Sequence, residues 1–94
     1  MTTDADAEDQ DEKLFRTNDM CLAAFFRYHG HSTQKAEYRG NSCYWLFIPT
    51  QGLYDLYEQF TEGSGLVEPR EFNKAFGFIR GEMFEAQTKR RGTK

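Results

Sequence analysis

The side chains in this sequence that could bind a metal are His29, His31, Cys21 and Cys43. A structural zinc site takes four such ligands in a tetrahedral array. Here the two histidines flank a glycine just past an apolar run, a setting that reads as solvated loop. Each cysteine sits inside an apolar run, where a free thiol behaves as a small hydrophobe. No metal, cofactor or small-molecule ligand is implied. Acid–base chemistry would draw on the 15 Asp and Glu residues, yet a catalytic carboxylate needs surroundings that perturb it. These acids are spread along polar helix faces and one terminal run. A phosphate-cradling glycine motif, HExxH, a nucleophile elbow and CxxC are all missing from the sequence. The expectation is a protein that is not an enzyme.

Contact is the chemistry that remains. Lys35, Arg39 and Tyr44 pair two phosphate-binding cations with a ring on which a base could stack. Arg16, Lys89, Arg90 and Arg91 would extend that charge. The same region supports a protein-interaction face of Lys35, Arg39, Tyr44, Leu46 and Ile48, with Phe84 (or Phe78) from a helix. Glu37 stands in the middle of the basic patch, which weakens the nucleic-acid reading relative to the protein one.

The element that positions these residues is a hairpin over 34–49. Two alternating runs meet at Gly40-Asn41, a two-residue turn signal. Gly40 supplies the positive φ that a type II′ turn requires. With that turn Arg39 faces Ser42, Tyr38 faces Cys43, Glu37 faces Tyr44, Ala36 faces Trp45 and Lys35 faces Leu46. One side then carries Ala36, Tyr38, Cys43, Trp45 and Phe47 and is core. The other carries the candidate contact residues, with Leu46 and Ile48 either open to a partner or tucked under the sheet edges. Pro49 ends the second strand because it cannot donate to a ladder. Lys13–Thr17 reads as a third, edge strand, since three strands make a sheet viable where a lone hairpin is marginal.

Three helices should cover the core side. Thr17, Asn18 and Asp19 offer capping oxygens ahead of Met20–Phe26, a continuous apolar run whose circumference should be mostly covered. Gly30 would end that helix in the left-handed conformation. Thr50 caps a second helix in which Leu53, Leu56, Tyr57 and Phe60 recur at helical spacing, and Gly63-Ser64-Gly65 reads as a flexible connection. Pro69 with acids in the first turn opens a third helix, striped by Phe72, Ala75, Phe76, Ile79 and Met83 and running to about Gln87. Gly77 and Gly81 lie inside it, at about 1 kcal/mol each relative to alanine. Close packing or a kink would account for them.

The fold expected is α+β: a short antiparallel sheet packed on one face by three helices. Residues 1–12 carry six acids and no base and read as a disordered tail, 13–88 as the single domain, and 89–94, with four bases, as a basic tail. The two ends contribute −2 of the formal charge of −3, and the body between them holds eight basic and nine acidic residues. That balance argues against a dedicated nucleic-acid surface. A body this small has a marginal core, so its rings, 16% of the chain, or a second subunit must compensate. A homodimer is therefore expected. With no signal peptide and no run long enough to span a bilayer, the expectation is an intracellular protein without a membrane partner.

Leu14-Phe15-Arg16-Thr17-Asn18-Asp19 leading into Leu22-Ala23-Ala24-Phe25, then Gly30, the strand with Phe47 and a helix start at Val67-Glu68-Pro69-Arg70, resembles a family of short bacterial and phage proteins of unknown function. The likeness covers about residues 14 to 85. It implies a small intracellular or phage-encoded accessory domain and assigns no functional residue.

Overall fold

A computed structural model describes residues 13–92 of the chain, with side chains as far as Lys89. The acidic segment 1–12 and residues 93–94 lie outside the described residues. The elements in order are β1 (Phe15–Thr17), α1 (Met20–Tyr28), β2 (Thr33–Arg39), β3 (Ser42–Phe47), α2 (Gln51–Glu62) and α3 (Pro69–Gly92). The three strands form one antiparallel sheet in the order β1-β3-β2. The α+β architecture is therefore present, with the helices on one side of the sheet.

Gly40 takes φ 63° while Asn41 keeps a negative φ, as a type II′ turn demands. The five cross-strand pairs from Arg39↔Ser42 to Lys35↔Leu46 all form. Beyond them the ladder slips at Gln34, a bulge that lets Thr33 face Phe47. β1 pairs with β3 (Phe15↔Phe47, Arg16↔Leu46, Thr17↔Trp45), so β3 is flanked on both sides.

Local chemistry sets each helix end. The Asp19 carboxylate accepts from the Cys21 and Leu22 amides at 2.9 and 3.2 Å and starts α1, while Thr17 Oγ1 accepts from the Asp19 amide at 3.0 Å. Gly30, at φ 95°, follows the last turn of α1. Thr50 Oγ1 accepts from the Leu53 amide at 3.1 Å and starts α2. At its far end Gly63 is left-handed, its amide donating to Phe60 O and that of Ser64 to Gln59 O, a Schellman arrangement. Gly63 and Ser64 are thus hydrogen-bonded back onto the last turn of α2. Gly65 also lies against Phe25, so close that an added Cβ would stand 2.5 Å from Cζ of the ring. Glu68 starts α3, its Oε1 accepting from the Glu71 amide at 2.9 Å.

α1 lies at the centre. Leu22, Ala23, Ala24, Phe25 and Phe26 are all buried, though Cys21 is exposed, so the helix is covered over most but not all of its circumference. The largest enclosed side chains are Trp45, Phe26, Phe47, Leu46, Leu53 and Ile79, each contributing about 1.5–3 kcal/mol by leaving water. Rings join the layers: Phe26 meets Phe47 at 5.0 Å and Phe15 at 5.4 Å, both edge to face, and Phe15 in turn meets Tyr57 at 5.4 Å. α3 packs on α1 and β2, and α2 on α1. α3 continues to Gly92 rather than stopping near Gln87, which places Lys89, Arg90 and Arg91 in helix. Basic residues at a helix C-terminus complement its dipole, a reason for the extra turn.

Candidate functional site

The outer side of the hairpin is more closed than its sequence implies. Glu37 lies between its two neighbours in alternation, with Oε1 3.4 Å from Lys35 Nζ and Oε2 accepting from Arg39 Nε at 2.8 Å. The two cations expected to meet phosphate or a partner thus sit on an internal carboxylate. Tyr44 is half-buried. Leu46 is 0% exposed, so it has no surface to present. Its burial follows from its place on the central strand, level with Arg16 on one side and Lys35 on the other, residues whose methylene stems can cover an apolar neighbour. Of the apolar pair, only Ile48 is exposed.

Arg16 is exposed and in register beside this face. Phe84, 54% exposed, is not. It belongs to the helix layer, since its neighbours Met83 and Ala86 pack on the core that Trp45 and Phe47 share. Lys89 is exposed at the end of α3, and Arg90 and Arg91 follow it in the same helix. The structure therefore separates the expected contact residues into a hairpin group (Arg16, Lys35, Arg39, Tyr44, Ile48) and an α3 group (Phe84, Lys89, Arg90, Arg91). Gly77 and Gly81 join the α3 group: both are exposed, and no atom lies within 4 Å of the position a Cβ would take.

The titratable groups inside the fold are few. Burial, and secondarily the charge of Glu82, push the Cys43 thiol up to about 11, so it is protonated at neutral pH. Glu82 Oε2 accepts from Thr33 Oγ1 at 2.5 Å, tying α3 to the start of β2, while Oε1 is enclosed without a partner, as is Trp45 Nε1. Among the described residues no three of His, Cys, Asp and Glu gather as a metal site would require, and no helix is long and apolar enough to cross a membrane.

One surface was not foreseen from the residues. Between the last turn of α1 and the first half of α3 lies a hollow of about 490 Å³ lined by Arg27, Tyr28, Glu71, Lys74, Ala75 and Phe78. Arg27 stacks on Phe78 with its guanidinium carbon 3.7 Å from the ring centroid. The sequence signal for it is weak: Phe78 falls off the apolar stripe of α3, and Arg27 is a basic residue in the last turn of α1. Comparisons with family models, curated proteins and solved structures returned no match.

Proposed function

We propose that the chain is a non-enzymatic interaction module that receives a protein partner on the outward side of α3. The observation that supports this reading is the pair Gly77 and Gly81. Each lowers the stability of a helix interior by about 1 kcal/mol relative to alanine. α3 runs without interruption through both, and among the described residues no atom lies within 4 Å of a Cβ placed on either. Among the described residues, therefore, neither a kink nor close packing requires glycine at these positions. Phe84 lies on the same side, three residues beyond Gly81, and is exposed. Small residues four apart let another helix approach closely, and the neighbouring ring supplies apolar area for it.

A second copy is the first partner to consider. In an antiparallel crossing about a two-fold axis beside Arg80 and Gly81, Phe84 of each copy would fill the notch at Gly77 of the other. Light scattering over a hundredfold dilution, on the natural chain and on Gly77→Ala/Gly81→Ala, tests the arrangement. The alanines are expected to stabilise the monomer by about 1 kcal/mol each and to weaken association at least about tenfold, equivalent to 1.4 kcal/mol. A monomeric mass at every concentration, or association unchanged by the alanines, would reject it. An accessory role in a phage or mobile element is part of the same proposal.

Weak nucleic-acid binding is the second reading, favoured by the helical setting of Lys89, Arg90 and Arg91. It weakens on the hairpin, where Lys35 and Arg39 meet Glu37. Nucleic acid retained through purification at low salt, and lost at moderate salt, would move the balance toward it.

A further inference from the structure

We infer that the hollow between α1 and α3 is a binding site for a small phosphomonoester, held by Arg27, Lys74 and the Tyr28 hydroxyl. The starting point is the state of Arg27. Its side chain is half-buried, and among the described residues it meets no carboxylate and makes no hydrogen bond; its one contact of note is the face of Phe78. A helix-end cation that served only the dipole of α1 would extend into water. Stacking instead fixes the plane of the guanidinium, so its N–H edge is directed before any ligand arrives, which lowers the ordering cost of binding.

The other donors lie around the same hollow. Lys74 stands one turn before Phe78 on α3; its ammonium is 3.2 Å from Glu71 Oε2, which occupies one of its three N–H directions. The Tyr28 oxygen accepts from the Glu68 amide at 2.9 Å, leaving its own O–H to donate. A planar fork, a point charge and a hydroxyl match three oxygens of a phosphoryl group better than the two of a carboxylate. Among the lining residues Arg27 and Lys74 stand against Glu71 alone, with the Glu68 carboxylate turned to the Glu71 amide. Ala75 and the edge of Phe78 supply an apolar side, and a volume of about 490 Å³ suits a small molecule rather than a bare ion. A second hollow, of about 300 Å³, opens beyond Arg27 at Gly30 and Ser32, giving room for the body of the ligand. The site borders the outward side of α3, with Lys74 one turn before Gly77 and Phe78 one turn before Gly81; ligand titration and light scattering are separate readouts, so either proposal can fail without the other.

The test is a titration of the full chain with phenyl phosphate, inorganic phosphate and benzoate, followed by amide and arginine Nε–H resonances in two-dimensional NMR. Saturable shifts are expected at Arg27, Tyr28, Lys74 and Phe78, with phenyl phosphate binding more tightly than inorganic phosphate and benzoate weakest. Arg27→Lys, which keeps the charge but loses the fork, should weaken binding at least about tenfold. Lys74→Gln, at a side chain 74% exposed and so safe for folding, should weaken it several-fold. No saturable shift up to about 10 mM, a level at which even millimolar affinity would register, would overturn the assignment. So would benzoate binding as tightly as phenyl phosphate, or unchanged affinity in both variants.

Discussion

Cys43 and Cys21 are the same chemical group in opposite settings. Cys21 is exposed on α1, whereas Cys43 is buried on β3 with its thiol pushed up to about 11. A folded-state value above the ordinary one means that the protonated thiol is favoured by folding. The resulting stability is complete below the ordinary thiol range of about 8.5 and is lost as pH rises through the folded value. The melting temperature of the natural chain, compared with that of Cys43→Ala, should therefore show a gap that is largest near neutral pH and shrinks from about pH 9 to 11. A gap of constant size across that range would contradict the assignment. In the native state an alkylating reagent should label Cys21 alone, since the thiolate is the nucleophile and Cys43 lacks both ionisation and access.

Elements were legible where a short motif has one geometric solution. Gly40-Asn41 admits a two-residue turn, and from that turn every hairpin pair up to Lys35↔Leu46 follows. Asp19, Thr50 and Pro69 likewise mark helix starts that form. What escaped were consequences of tertiary placement. Nothing in the residues of β3 says that it is the middle strand, and only that position explains why Leu46 is enclosed. The length of α3 was missed because Lys89, Arg90 and Arg91 look like a tail, although lysine and arginine are good helix formers. Arg27 and Phe78 are far apart in sequence, so their stacking could not be read there. Gly65 is a similar case: its company is Phe25, itself held between His29 at 4.7 Å and Phe60 at 5.6 Å. Gly65→Ala must push that ring out of place and is expected to cost about 1–3 kcal/mol in chemical denaturation. Wild-type stability in this variant would show that the α2–α3 connection yields more easily than its contacts imply.

For the molecule as a whole, the contrast is between a tightly keyed interior and an exterior divided into separate surfaces. The hairpin face is occupied by its own Lys35–Glu37–Arg39 cluster, the outward side of α3 is bare around two glycines, and the α1–α3 hollow presents donors without an acid for Arg27. The proposed association and the proposed ligand binding draw on neighbouring stretches of α3 and are told apart by their different readouts. The strand order has a further consequence, in time rather than in space. β2 and β3 are joined by a tight turn and can pair within microseconds, whereas β1 reaches β3 only after α1 and the hairpin have closed the intervening loop. β1, the first strand among the described residues, is therefore expected to join the sheet last, and with three residues it has few bonds to hold it. Hydrogen exchange should find the Phe15–Thr17 amides opening well before those of the β2–β3 ladder; equal protection would mean that the sheet forms and opens as one unit.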